Sequence, residues 1–138
     1  MTGASTPVVA DTHTLIWYLQ NDDRLSDAAV KKLDAATAAE EPIFVSAATA
    51  VELHYLLDKQ AITADEYKWY MAQLESATEA IEVAPVDLGV AHMVELVPRD
   101  LVPDPFDRMI AATAIALGVP LVTADRKLRK FAAVETVW

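Results

Sequence analysis

The chain has 138 residues, of which 54% are hydrophobic and 23% are charged, a composition typical of a packed globular protein and unlike that of a disordered one. It contains no cysteine, which excludes disulfides, thiolate metal sites and cysteine nucleophiles. Its formal charge of −10 argues against binding nucleic acid through a broad basic surface, because Lys and Arg contacts to phosphate dominate that kind of affinity.

The sequence carries no signal for secretion or membrane insertion. Its start, MTGASTP, is polar and uncharged, and the following apolar stretches are broken by Asp11, His13 and Gln20 before they reach spanning length. We therefore expect a soluble, cytoplasmic protein without membrane contact. The length predicts a single domain over residues 1–138.

Short apolar runs typical of buried strands alternate with segments of helical spacing. Ser26, Ser46 and Thr63 are each placed to cap the start of a helix, and Gly118 is placed to end one in a left-handed conformation. No hairpin turn joins the strands, so the pattern predicts an α/β fold with a mostly parallel central sheet of four to five strands, covered by helices on both faces. The expected strands are, in chain order, PVVAD, IFVS, IEVAPV, PLVT and VETVW.

Four acidic residues stand where such a fold would bring them together. Asp11 ends the first strand and Asp125 follows the fourth. Glu52 and Asp107 fall in the early turns of helices, and sites in open parallel sheets form outside the carboxyl ends of the strands. Oxygen ligands without Cys or a His pair suit Mg²⁺ or Mn²⁺ better than Zn²⁺. We therefore predict a metal site in which an activated water hydrolyses a phosphodiester.

Several nearby residues are secondary candidates. Asp104 is expected to cap a helix first and to bind metal second. Thr123 could bond a phosphate or a metal-bound water, or act as a structural hydroxyl. Arg108 could contact a substrate phosphate or pair with a local acid, and Arg126 opens a basic cluster that could follow an RNA backbone. His13 is expected to help begin its helix.

The acid-bearing segments resemble those of PIN-domain ribonucleases, in particular the VapC toxins of bacterial toxin–antitoxin pairs. The resemblance rests on VADTHTLIWYL, FVSAATAVEL and DPFDRMIAATAIALGVPLVTAD in this order. It implies a Mg²⁺- or Mn²⁺-dependent endoribonuclease that forms a homodimer and binds a VapB-type antitoxin. One departure is Val102, at a place where many relatives carry a His. The catalytic metal ligands that the resemblance implies are Asp11, Glu52, Asp107 and Asp125, with Asp104 as a possible addition.

Three other functions compete with this interpretation. An aspartyl-nucleophile phosphatase needs a second Asp two residues after Asp11, where this chain has His13. A phosphoacceptor signalling domain needs an Asp on its third strand, and IEVAPV has none. A catalytically inactive binding module could keep the same fold, but the four intact acids argue against it.

Overall fold

The structure, a computed structural model, describes residues 7–76 and 80–138. Residues 1–6, on which the argument against a secretory signal partly rests, lie outside this range. In the described residues, no helix has the length and the apolar character needed to cross a bilayer.

Five strands form one sheet with the order β3-β2-β1-β4-β5, and every pairing between them is parallel. All five match runs expected from the sequence. The chain moves outward from β1 through β2 to β3 and then crosses to the other side of β1 for β4 and β5. β1 and β4 therefore meet at a topological switch point, where α/β proteins form their sites. The strands are β1 (Val8–Ala10), β2 (Ile43–Ser46), β3 (Ile81–Ala84), β4 (Leu121–Val122) and β5 (Thr136–Val137).

Helices connect the strands and cover the sheet. In the described residues they are α1 (Thr12–Gln20), α2 (Asp27–Ala38), α3 (Ala47–Asp58), α4 (Ala64–Glu75), α5 (Leu88–Met93), α6 (Pro105–Leu117) and α7 (Arg126–Arg129), with a 3₁₀ turn at Val94–Leu96 after α5. α5 is followed at once by the 3₁₀ turn, a tightening that is common at helix ends. α6 begins at Pro105, because Pro fits the first turn of a helix and Asp104 caps it as expected.

The predicted helix caps are present. The side chains of Ser26 and Ser46 accept hydrogen bonds from backbone N–H groups of the helices they precede. Thr63 and Glu66 form a reciprocal capping box, in which each side chain accepts from the other residue's backbone N–H. Gly118 ends α6 with a φ of 67°, a conformation that glycine adopts without steric cost.

The central strand β1 is buried on both faces. Val9 packs into a cluster with Ile110 of α6, whereas Val8 and Ala10 point the other way and pack with Leu33 of α2. This alternation follows from the two-residue period of a strand. It confirms the predicted sheet with helices on both faces and fixes the carboxyl end of β1 in the middle of the molecule.

Candidate active site

All four predicted acids lie around one pocket of about 420 Å³ at the carboxyl ends of β1 and β4. Asp11 follows β1 and Asp125 follows β4, on the two sides of the switch point. Glu52 reaches the pocket from α3, and Asp107 from the first turn of α6. The pocket is lined by Asp11, Thr12, His13, Trp17, Glu52, Asp104, Asp107, Ala124 and Asp125. The structure thus brings together acids that are up to 114 positions apart in sequence (125 − 11 = 114).

Asp11 is the most deeply held of these acids, with only 6% of its surface exposed. One carboxylate oxygen, Oδ1, accepts from the backbone N–H of Thr14 at 2.8 Å, and Oδ2 accepts from the Thr123 hydroxyl. Burial raises the pKa of Asp11, while these two hydrogen bonds act in the opposite direction. The contacts fix the orientation of the carboxylate at the floor of the pocket.

Thr123 positions acids from two neighbouring strands. Its fully buried hydroxyl donates to Asp11 and accepts from the backbone N–H of Asp125 at 3.0 Å. Its single hydrogen is used by Asp11 and it has no exposed surface, which agrees with the structural hydroxyl, one of the two roles expected for Thr123.

Glu52 is oriented by a relay of threonine hydroxyls. Its Oε1 accepts from the Thr12 hydroxyl at 2.5 Å, and the Thr12 oxygen lies 3.0 Å from the Thr49 hydroxyl. Since Thr12 uses its one hydrogen on Glu52, Thr49 donates to Thr12. Burial raises the pKa of Glu52, and the Thr12 hydrogen bond and nearby His13 oppose this rise. The relay connects α1 to α3 and holds the Glu52 carboxylate over the sheet edge.

The start of α6 contributes two further acids. Asp104 caps the helix by accepting from the backbone N–H of Asp107 at 3.0 Å, as expected, and it also lines the pocket. The carboxylate of Asp107 is half-buried and, within the described residues, accepts no hydrogen bond. Burial first, and then the charges of four neighbouring acids, raise the pKa of Asp107 to about 7. Those four acids are Asp104, Asp125, Glu52 and Asp11.

Asp125 serves two purposes at the end of β4. Its Oδ1 accepts from the backbone N–H groups of Lys127 and Leu128, at 2.8 and 3.2 Å, and so caps α7. The same side chain lines the acidic pocket. Asp125 therefore caps a helix and lies at the sheet edge at the same time.

Comparison with known proteins decides the family. A family model described as PIN domain matches residues 8–134. The chain belongs to the PIN-domain family. It is 32% identical over 136 residues to Ribonuclease VapC22 of Mycobacterium tuberculosis, a match that covers 96% of this chain and 99% of the relative, and this places it among the VapC ribonucleases.

Solved structures agree on the fold. A DNA-bound VapBC from Salmonella typhimurium matches with a TM-score of 0.66 and 21% identity, covering 95% of this chain and 96% of that chain. VapBC2 from Rickettsia felis, bound to a DNA fragment from their promoter, matches with a TM-score of 0.64 and 18% identity, covering 94% and 96% of the two chains. The sheet and helices described above are therefore those of the VapC PIN fold.

The two basic residues predicted to contact substrate do not line the acidic pocket of this PIN domain. The guanidinium of Arg108 donates to the backbone carbonyls of Val97 and Val94, at 3.0 and 3.2 Å, and ties α6 to the 3₁₀ turn. In the described residues Arg108 forms no ion pair with an acid, so the expected acid pair is not found there, and the contact with a substrate phosphate stays a prediction. Arg126 is exposed and lines a separate basic cleft next to the acidic pocket. Val102, at the position of the relatives' His, is buried in the core beside α6.

Four residues of the pocket wall were not among the predicted site residues: Thr12, His13, Trp17 and Ala124. Thr12 is buried and bonds Glu52, and the rings of His13 and Trp17 lie with centroids 5.8 Å apart. His13 stands in the first turn of its helix, as expected, and also lines the pocket. The signal for Thr12, His13 and Trp17 was their position in the first two turns of the helix that starts directly after Asp11, a segment that must face the same sheet edge.

The donor set of this PIN domain fits a hard divalent cation. Five carboxylates surround the pocket, and the charges of four of them add to the effect of burial in raising the pKa of Asp107. In the described residues, no three acidic, His or Cys side chains stand so that they could ligate an ion directly as they are placed. Carboxylate oxygens are the ligands that Mg²⁺ takes in proteins, and that ion usually keeps several waters in its coordination shell.

Proposed function

We propose that this PIN-domain protein is a VapC-type toxin that cleaves RNA as a Mg²⁺- or Mn²⁺-dependent endoribonuclease. The observation that carries the proposal is the convergence of five carboxylates on one pocket beside the switch point of the sheet. The identity to Ribonuclease VapC22 over nearly its whole length supports RNA as the substrate.

Four acids around the pocket are the proposed ligands of the cation. A bound divalent ion supplies positive charge that attracts the phosphodiester and offsets the negative charge that develops during its hydrolysis. Thr123 and Thr12 hold their carboxylates in place before substrate arrives, so less reorganisation is needed during the reaction. Asp104 stands beside them as a possible further ligand. The residues that would hold the ion are Asp11, Glu52, Asp107 and Asp125.

The same charges make the proposed activity strictly dependent on a cation. Without one, the pocket presents five acidic side chains to a phosphate that is itself negative, on a protein of net charge −10. Coulomb repulsion at these distances disfavours substrate binding. Chelation of divalent ions should therefore abolish cleavage.

A cleavage assay tests this proposal. Purified protein is incubated with end-labelled structured and single-stranded RNAs, with Mg²⁺, with Mn²⁺ or with EDTA. Cleavage should require a divalent ion, and Asp11→Asn should reduce the rate by more than about 100-fold, since even the outer partners of metal ligands cost about 10- to 100-fold. Asp23→Asn, at an exposed position outside the pocket, is the matched control. No cleavage of any RNA would instead favour an inactive binding module, and cleavage unaffected by Asp11→Asn would refute the role of the acids.

We also propose that a VapB-type antitoxin binds this protein and that the protein forms a homodimer. The two structural neighbours described above are VapBC complexes, which supports such a partner. Apolar side chains remain exposed, including Val51 and Tyr55 on α3 and Leu101 before α6, as surfaces that bind other proteins often show. The net charge of −10 suits a basic antitoxin segment.

Expression in bacteria and mass measurement test these partners. Expression of the chain should arrest growth, and co-expression of a small protein encoded beside it should relieve the arrest. Light scattering should give the mass of a dimer. Harmless expression without such a neighbouring gene would contradict the toxin assignment, and a monomeric mass at every concentration would contradict the homodimer.

A further inference from the structure

A basic cleft of about 440 Å³ lies beside the acidic pocket. Three of its residues are cations, and in residues 7–76 and 80–138 none of the three forms an ion pair. Their charge is therefore available to a ligand, on a protein that is otherwise strongly acidic. The cleft is lined by Arg126, Arg129, Lys130, Thr136 and Trp138.

The cleft and the pocket adjoin at two places. Asp125, which lines the pocket, is followed in the chain by Arg126, which lines the cleft. Trp17 of the pocket and Trp138 of the cleft lie with ring centroids 5.8 Å apart at 56°. An aromatic pair thus stands between the acidic site and the basic one.

A cation also contacts the Trp17 ring. The Arg24 guanidinium lies 5.1 Å from its ring centroid, and Arg24 is itself paired with Asp22 at 2.7 Å. The Trp17 and Trp138 side chains are both half-buried, so each keeps some surface for contact. This wall therefore offers a fixed aromatic surface between two charged sites.

We propose that the basic cleft is an RNA subsite that binds backbone phosphates of nucleotides beside the scissile bond, with a base resting on the Trp17–Trp138 pair. This proposal rests on the proposed function, because it assumes that RNA is cleaved in the acidic pocket. Alternating phosphate and base contacts match a single nucleic-acid strand, in which stacking on aromatics and cationic contacts combine. An acidic peptide would match the cations but would not need the aromatic wall. The subsite also explains how a protein of net charge −10 can hold RNA.

RNA affinity under varied salt tests the cationic half of the proposal. The probe is a fluorescein-labelled single-stranded RNA of roughly 12 nucleotides with phosphorothioate links that resist hydrolysis, measured by anisotropy in Mg²⁺. The test variant changes Arg126, Arg129 and Lys130 together to Gln. The control variant changes Lys59, Lys68 and Arg99 together to Gln, removing the same charge from exposed positions outside both sites.

The test variant should bind the RNA at least about 10-fold more weakly, and its salt dependence should fall by about 2 in log–log slope, since each phosphate contact contributes about 0.7 on a single strand. The control variant should keep the wild-type affinity and slope. Unchanged affinity in the test variant overturns the subsite. If the test variant also loses affinity for a poly-glutamate peptide while its RNA affinity is unchanged, the cleft binds acidic protein segments and the subsite is overturned.

Substitution of Trp138 tests the aromatic half of the proposal. Trp138→Ala should weaken RNA binding by about 5-fold or more, and Trp138→Phe should keep most of the affinity, because stacking needs a ring and not an indole. Thermal unfolding of both variants shows whether they fold. Equal affinity of a folded Ala variant and the wild type overturns the stacking contact. Failure of the proposed function is distinct, since a protein that binds RNA through the cleft but cleaves none would lose the enzyme assignment and keep the cleft as an RNA-binding site.

Discussion

Replacing Asp107 by Asn should stabilise the protein in the absence of divalent ions, although we propose that the same change removes a metal ligand. Burial and four neighbouring acids raise the pKa of Asp107 from 3.8 to about 7. A shift of this size has a ceiling of about 4 kcal/mol at 1.36 kcal/mol per pH unit. Asp107 is only half-buried, so solvent screening reduces the figure, and Asn also loses about 0.3–1 kcal/mol of favourable interaction with the helix start. We expect a net gain of about 1–2 kcal/mol, or a rise in Tm of roughly 3–8 °C.

The pH dependence of this gain has a definite sign. Because the folded-state pKa of Asp107 lies above its unfolded value, the wild type loses this part of its stability as pH rises from about 4 to about 7. The difference between Asn and wild type should be absent below about pH 4 and complete above about pH 7. Scanning calorimetry in EDTA over this range measures it, with Asp23→Asn as the control for removing one exposed charge. A Tm difference that does not change with pH, or destabilisation by Asn above neutrality, would refute the argument from carboxylate repulsion.

Three further substitutions test the supports of the site. Thr123→Val should lower the free energy of unfolding by about 1–3 kcal/mol and slow RNA cleavage by about 10- to 100-fold, because the carboxylate of Asp11 loses its donor. Thr123→Ser should restore the stability, measured by urea unfolding, and the cleavage rate. Thr12→Val should slow cleavage by about 10-fold by releasing Glu52, and an unchanged cleavage rate would contradict the threonine relay. Gly118→Ala should lower the free energy of unfolding, measured in urea, by about 1 kcal/mol, because the φ of 67° strains any residue with a Cβ. It should leave the cleavage rate unchanged, and reduced cleavage would contradict a purely structural role for Gly118.

The fold was predictable because its signals are local. Each buried strand is a short apolar run, and Ser26, Ser46 and Thr63 mark helix starts by their own side-chain hydrogen bonds. Parallel pairing followed from the absence of hairpin turns. The order of the strands did not follow, since which strand neighbours β1 depends on packing between distant segments.

The acids of the site were predictable for a related reason. A residue directly after a strand must lie at the carboxyl edge of the sheet, so Asp11 and Asp125 could be placed without a structure. The hydrogen-bond partners of these acids could not be predicted from the sequence. Thr123 and Arg108 act through hydrogen bonds to residues far along the chain or to backbone carbonyls, and nothing in their local sequence shows which partner they take. The contact of Trp17 with the distant Trp138 likewise could not be read from the local sequence.

Titration of the protein with Mn²⁺, followed by calorimetry and by the electron spin resonance of the free ion, shows whether the acids around the pocket act together as one divalent-metal centre, as we propose. Saturable binding to the wild type is expected, weakened in each single variant and unchanged in the control Asp23→Asn. Absent binding, or binding that the four variants leave intact, would contradict the account. The variants are Asp11→Asn, Glu52→Gln, Asp107→Asn and Asp125→Asn.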